Sequence, residues 1–575
     1  MPAKSKSSPK IPKKRDNDVP PQPLTKLLKG GSNSPLLWLL NSQTRDEIAE
    51  VHIAKWYQHS RDAQRRSGVS LTTSSQWIEE IIGALPAAND SRPGAGGALT
   101  TLAAAQALRE LLAISGEADC CPVLERLISQ TEQLKLHVAD TAIHPWLEQM
   151  LAVELPLTLA YQLPALVVQA DLAQPAADWM AGAVGVGLDD DGWPRAELVP
   201  LFGPLMASWV RSLKMIAALE LDFSAEVSVQ IEWGVRQLLR LVRSSGSLMM
   251  SGPAALPITD ECLATMLKIS GEADDRLFAK GIRTESGINV EKLGKLASSS
   301  SVSEWGESGV LRSQWRCRSP YLAFEYSQRS FSLELGANKS LIVGPAFPQI
   351  KFNGQSTTPI EGFEIVCDEH DQDVDYIELQ MPMTHSITLT RQLILSRSEE
   401  FLLVTDCIVP LLSGQIEYQC DWPLADGLNC LPESETREMY LQDPKIQALV
   451  LPLSLPEWKV GRSSGRLECV ENRLRLTDSV NGAGLYVPLV FDLNAKRAKK
   501  KRTWRHLTVA EDRRPVSREI AAAFRFQLDK QQWYFYRAVS QPGNRSFLGE
   551  NFNGEFVIGR FDRRGTVTEM LRIQS

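Results

Sequence analysis

The sequence predicts a helical half followed by an all-β half, and three observations carry that expectation. Apolar and amphipathic runs with a helical period fill residues 35–296. Short alternating runs bounded by turn residues fill residues 305–575. Between them, at 298–304, the run SSSSVSE is the sharpest composition shift in the chain.

At 575 residues the chain is too long for one ordinary core and divides into two large domains plus a tail. A hydrophobic fraction of 43% and a charged fraction of 23% are ordinary for a globular protein. The net charge of -7 gives no reason to expect nucleic acid as a partner. The first residues, MPAKSKSSPKIPKKR, are basic, but no apolar run follows before Pro20, Pro21 and Pro23, so residues 1–34 read as a solvated basic tail. No stretch approaches the ~20 apolar residues of a membrane-spanning helix. The expected location is cytoplasmic, with periplasmic as the alternative.

The helical reading begins with PLLWLL at 35–40 and EIAEVHIAKWYQHSRDAQRR at 47–66, where Ile48, Val51 and Ala54 separate from Lys55 and Gln58. Further runs lie at 97–114, 123–138, 146–163, 194–219 and 224–243, with breaks such as AANDSRPGAGG at 87–97. No fixed-period repeat is present, which favours a closed or partly closed ring of helical hairpins over a solenoid. Residues 270–304, rich in Gly, Lys, Asp and then Ser, read as the linker.

The β half opens with Leu322, Phe324 and Tyr326 on one face, then Phe331, Leu333 and Leu335, while Ser330, Ser332 and Glu334 point the other way. Residues 336–339 form a turn and 340–343 a returning strand. Later strands are expected near 377–381, 386–395, 401–408, 415–422, 448–453, 466–476, 485–492, 520–528, 532–539, 555–561 and 566–573. So many short strands in succession predict a large antiparallel sandwich.

Nine cysteines, with only Cys120 and Cys121 adjacent, form neither a disulfide framework nor a CxxC knuckle, and buried free thiols are the expectation. GxGxxG, Walker A, HExxH and GxSxG patterns are absent, so no cofactor and no metal are expected. The acidic segment DEHDQDVD at 368–375 lacks the Gly and terminal Glu of an EF-hand and reads as a solvated loop rather than a cation site. The basic run KRAKKKRTWR at 496–505 reads as an exposed loop, with a grip on anionic polysaccharide as the alternative.

From Trp305 to Pro345 the chain reads WGESGVLRSQWRCRSPYLAFEYSQRSFSLELGANKSLIVGP, and its order of opening, long hairpin with a polar row, and closing Gly-Pro resembles the start of the β-sandwich of heparinase II/III-like polysaccharide lyases. Residues 187–213, GLDDDGWPRAELVPLFGPLMASWVRSL, are similar to the loop that precedes an inward-facing helix of that family's α/α-toroid. The resemblance implies an α/α-toroid over 35–296 and a β-sandwich over 305–575. It also implies a cleft for an acidic, uronate-containing or sulfated polysaccharide such as a glycosaminoglycan, and cleavage by β-elimination. Elimination needs the uronate carboxylate neutralised, a base for the C5 proton and an acid for the leaving oxygen. On that resemblance Trp193, Arg195, Arg211, Arg316 and Arg329 are the candidate substrate-binding residues, with Trp209 near them. Glu197, Tyr326 and His385 are the candidate catalytic residues.

The chain departs from the family in two places. After Asp191-Gly192 it keeps Glu197 but reads on to Phe202 without the family's tyrosine, and before SFSLEL it has Tyr326-Ser327-Gln328-Arg329 without the family's histidine. Elimination is therefore expected to be weak or absent. Two other readings stand beside it: a non-catalytic polysaccharide-binding or scaffold protein on the same fold, and a glycoside hydrolase that would need a second carboxylate beside Glu197.

Overall fold

The computed structural model describes residues 71–86, 95–115, 117–137, 145–163, 169–252, 257–258, 260–285, 297–561 and 566–574. The basic tail, the runs at 35–40 and 47–66, and most of the 87–97 loop lie outside these residues. Among the described residues, helices run as far as Ala273–Gly281 and strands begin at Ser301–Ser303, so the order of helix then antiparallel sheet follows the sequence. No described helix is long and apolar enough to cross a membrane.

The expected linker is shorter than its composition suggests. Residues Ala273–Gly281 are helical because Glu272 and Asp275 close a capping box at the N-terminus, each side chain taking the other's backbone N–H. Arg236 then clamps both carboxylates, at 2.6 Å from Glu272 and 2.7 Å from Asp275. Three helices of the expected helical half, Gln169–Gly187, Leu71–Ala84 and Asp260–Ser270, lie outside the individual runs named above. In the first of these Pro175 and three glycines obscure the helical period.

The chain divides into two compact units. One unit takes residues up to Val186 with Pro204–Ile231 and Thr259–Ser270; the other takes Gly187–Gly203, Glu232–Ile258 and Gly271–Ser575. In the first unit Leu155–Gln162 is buried along its whole length. There the Arg211 guanidinium donates to Glu154 through Nε at 2.5 Å and through Nη2, and Ser208 Oγ donates to the same carboxylate at 2.6 Å.

In the second unit, Ser301–Ser303, Ser308–Arg312, Tyr321–Glu325, Ser332–Gly336 and Ser340–Pro345 form a five-stranded antiparallel meander. Its register sets Leu322 opposite Leu335 and Phe324 opposite Leu333. An eight-stranded sheet follows, with Val374–Met383, Ile387–Ser396, Phe401–Pro410 and Leu485–Asp492 as consecutive neighbours. Both faces of these strands are covered, which is why they read as near-continuous apolar runs. From one face Leu379, Leu389 and Leu393 join a cluster with Phe324, Phe331 and Leu333. From the other, Tyr376, Ile394 and Leu403 join Phe524, Phe526 and Phe535 of the C-terminal strands.

Three segments differ from expectation. The predicted strand at 466–476 is two strands, Arg466–Val470 and Arg473–Gly482, because Glu471 and Asn472 turn the chain with φ of 50° and 59°. The acidic 368–375 segment is mostly strand, ending Glu364–His370 and opening Val374–Met383. In the basic run, Arg497 bonds Asp492 and Arg502 bonds Glu433 and Glu438, so two of its cations are held by carboxylates. Arg502–Leu507 is itself a strand.

Within the sheets, Arg391 lies over Phe331 at 4.5 Å and donates two 2.7 Å bonds to Asp406, which also accepts from Tyr418 Oη at 2.7 Å. Both partners are at most 1% exposed. Removing one member strands the other charge in a dry core. Asp406→Ala is expected to cost about 3–5 kcal/mol in unfolding free energy by urea titration, whereas a paired apolar replacement of Arg391 and Asp406 costs much less.

His370 sits between two carboxylates, with Nδ1 at 2.6 Å from Asp375 and Nε2 at 2.9 Å from Asp368. Asp375 also accepts from Arg397 and, at 2.8 Å, from Ser300 Oγ. Burial pulls the imidazole pKa down, but the hydrogen bonds to Asp368 and Asp375 outweigh it and raise the value to about 9. A folded pKa above the unfolded one means stability that is full below the unfolded value and lost as pH rises through the folded one. Wild-type unfolding free energy should therefore decline relative to His370→Gln between about pH 6.5 and pH 9. Parallel curves over that interval would refute the assignment.

Candidate functional site

The site begins with a tight loop. Gly192 takes a φ of 75°, a left-handed conformation that lets the chain reverse within a few residues. Asp189 fixes the reversal, its Oδ1 accepting from the backbone N–H of Asp191 at 3.0 Å and of Trp193 at 2.7 Å. Its Oδ2 accepts from Ser303 Oγ at 2.6 Å, joining the loop to the first sheet. Gly306 follows, where a Cβ would stand 2.8 Å from both the Pro194 carbonyl oxygen and Trp193 Cδ1, so only glycine permits this approach. Trp193, 1% exposed, then donates its indole N–H to Ser308 Oγ at 2.8 Å.

These contacts put the short 3₁₀ turn Ala196–Leu201 beside the first sheet and form one wall of a hollow of about 400 Å³. Trp193, Glu197 and Pro200 line one side, and Ser308, Phe324, Glu325 and Leu333 the other. The turn Ser327–Ser330 completes it. Gln328 and Arg329 both adopt left-handed φ, 52° and 57°, and Ser330 N–H donates to the Ser327 carbonyl at 3.0 Å, a turn type that suits antiparallel strands. Gln328, Ser327, Ser330 and Ser332 all face the hollow. Ser327 Oγ donates to Glu325 Oε2 at 2.8 Å.

The inventory is two carboxylates, one carboxamide, four serine hydroxyls and an apolar remainder. Among the described residues lining the hollow there is no Lys, Arg, His or Tyr. The expected residues thus separate. Trp193 and Glu197 line the hollow. Arg195 lies over the ring of Trp305 at 4.7 Å, and Trp305 is 43% exposed. Arg329 is on the exposed tip of the turn. Arg211 is fully buried against Glu154 in the other unit, and Trp209 donates its indole N–H to Gln149 at 3.1 Å there. Arg316 pairs with Glu400 at 2.5 Å and lines a different hollow with Arg318 and Lys339.

Neither proposed proton-transfer group reaches the hollow. Tyr326 is 2% exposed, packs with Phe324 and Phe331 in the core, and directs its hydroxyl at the Ser303 carbonyl, 3.4 Å away. Burial, then the carboxylates of Glu304, Glu307 and Asp368, push its pKa up, the reverse of what a base requires. His385 is exposed at the tip of the Thr384–Ser386 turn between two strands of the eight-stranded sheet, with φ of 63°. Sequence reasoning passed over Glu325, Gln328 and the serines of this wall. For the serines a signal was present in the polar row of SQRSFSLEL, where Ser330 and Ser332 alternate with core residues.

No protein-family model and no curated protein matches this chain. Solved structures do. A heparinase III superposes with a TM-score of 0.58 and 11% identity over 90% of this chain and 90% of its own. A second heparinase III gives 0.57 and 11%, covering 85% of this chain and 82% of the other. The heparan sulfate lyase HepC from Pedobacter heparinus gives 0.54 and 13% over 92% and 91%. The chain therefore has the fold of these polysaccharide lyases, helices followed by antiparallel sheets.

Proposed function

We propose that this protein binds a polysaccharide at the Trp193 hollow and does not cleave it by β-elimination. The fold supports the glycan half of this reading, since the structures it matches are named as heparinases and a heparan sulfate lyase. On that basis we assign the α/α-toroid and β-sandwich of the heparinase II/III-like family to the two halves, and an acidic polysaccharide is the partner the likeness suggests. The lining supports the other half. Hydroxyls, a carboxamide and carboxylates beside an indole suit the hydrogen-bonding of sugar hydroxyls. Elimination asks for a base and an acid within hydrogen-bond reach, each worth ~10² to 10⁴ in rate, and Tyr326 and His385 lie outside the lining. The scaffold alternative is thus favoured over the lyase.

Trp305, half-exposed and braced by Arg195, is the platform we assign to a sugar ring, since it immediately precedes Gly306, the residue that packs against Trp193. A second reading rests on Glu325, which supplies the additional carboxylate that glycoside hydrolysis would need beside Glu197.

Incubation of the full chain with a panel of uronate polymers and neutral glucans separates these readings. The expected result is retardation of at least one glycan in affinity electrophoresis without the ultraviolet absorbance of an unsaturated uronate. Trp305→Ala should weaken that retention about tenfold, equivalent to ~1.4 kcal/mol. Robust unsaturated product would sink the binding-only reading, and new reducing ends without unsaturation, lost in Glu325→Gln, would establish the hydrolase.

A further inference from the structure

From the charge of its lining, we infer that the Trp193 hollow selects sugar units bearing a free amine, accepts neutral ones, and rejects the carboxylated or sulfated units that the fold would suggest. This rests on the reading that the hollow is a glycan site.

Glu197 and Glu325 bring two negative charges to a space of about 400 Å³. Glu197 is exposed on the 3₁₀ turn, and Glu325 keeps one oxygen on Ser327 Oγ, which leaves the other carboxylate oxygen able to accept from a ligand. No described lining residue carries a compensating positive charge. The cations of the neighbourhood are committed or set apart. Arg243 has two bonds of 2.7 and 2.6 Å to the buried Glu334. Arg195 is stacked on Trp305, and Arg329 occupies the solvent-exposed tip of its turn.

A uronate or sulfate entering the hollow would meet like charge with no arginine fork to receive it, and like-charge juxtaposition at an interface is strongly unfavourable. An ammonium group would instead donate charge-assisted hydrogen bonds to one or both carboxylates. The remaining hydroxyls of the sugar find Ser308, Ser330, Ser332 and Gln328, which are indifferent to charge. The selectivity therefore resides in the two glutamates, while general affinity for a pyranose resides in the rest.

The test is calorimetric titration of the full chain with three tetrasaccharides: a glucosamine oligomer with free amines, its N-acetylated counterpart, and a uronate oligomer. The amine probe should bind at least tenfold more tightly than the uronate probe, with the N-acetylated probe between them and the gap narrowing as salt is raised. Glu197→Gln with Glu325→Gln should erase the order by weakening the amine probe and strengthening the uronate probe. Because Glu197 is exposed, Glu197→Gln alone provides a variant whose folding is secure, and it should reduce the gap in part. Equal or tighter binding of the uronate probe by the wild type overturns the inference and leaves the glycan-binding reading standing. An unchanged order in the double variant overturns it as well. Failure of all three probes to bind removes both.

Discussion

Glu334 is the group around which the site-bearing unit is assembled. Its side chain is 0% exposed, and its carboxylate accepts from Arg243 Nε and Nη2, Tyr321 Oη, Ser340 Oγ and the Met250 backbone N–H. A buried carboxylate is tolerable only when its lone pairs are filled in this way. The cost of that arrangement explains much about the hollow. Met250, one of its lining residues, is held by its own backbone, and Arg243 is withdrawn from any role toward a ligand. Tyr321, the other tyrosine of the neighbourhood, spends its proton on Glu334, and burial followed by that carboxylate raises its pKa. The alternation along Ser332–Gly336 places Ser332 at the hollow and Glu334, two residues on, in this lock.

The same economy recurs elsewhere in the second unit. Arg537 forms two bonds to Glu378, at 2.8 and 2.7 Å, within a buried set that includes Tyr376, Gln392, Thr405 and Tyr486. Arg391 does the like with Asp406. Arginine forks onto carboxylates fix geometry more than they add net stability. A chain with many arginines can therefore have few that face a ligand. That bears directly on the likeness to heparinases, because the fold is shared while the hollow of this chain is lined by two carboxylates and, among its described lining residues, no cation.

The periodic features were legible in the sequence. The strand Leu485–Asp492 has the bounds its apolar run suggested, and the alternation of Leu322, Phe324, Phe331, Leu333 and Leu335 is the core face observed. That alternation also places Tyr326 with the core residues, where it is found, although the family resemblance made it a candidate for catalysis. Long-range partners were not legible. Arg211 reads as one of several polar residues on a largely apolar helix, and its partner Glu154 lies 57 residues earlier. Glu325 passed unnoticed because a glutamate at the end of a strand has no local mark distinguishing a solvent-facing carboxylate from one at a cavity. The helix Ala273–Gly281 was hidden by composition: Gly, Asp and Lys suggest a linker, yet the reciprocal Glu272 and Asp275 bonds nucleate a helix.

The helix Ala225–Leu241 ends against a side chain from far along the chain. Arg312 Nη1 donates to the carbonyls of Leu239, Arg240 and Val242 at 3.3, 3.2 and 3.0 Å, supplying donors to helix-end oxygens that otherwise lack them. The strand that carries Arg312, Ser308–Arg312, also carries Ser308, the acceptor for Trp193. One strand thus finishes a helix 70 residues or more upstream and orients the indole of the hollow. During synthesis the helix leaves the ribosome well before its terminator does. For that interval its last carbonyls depend on water, and the Trp193 loop has no wall to dock on, so the maturation of the hollow is timed by the first sheet and not by the helices that precede it.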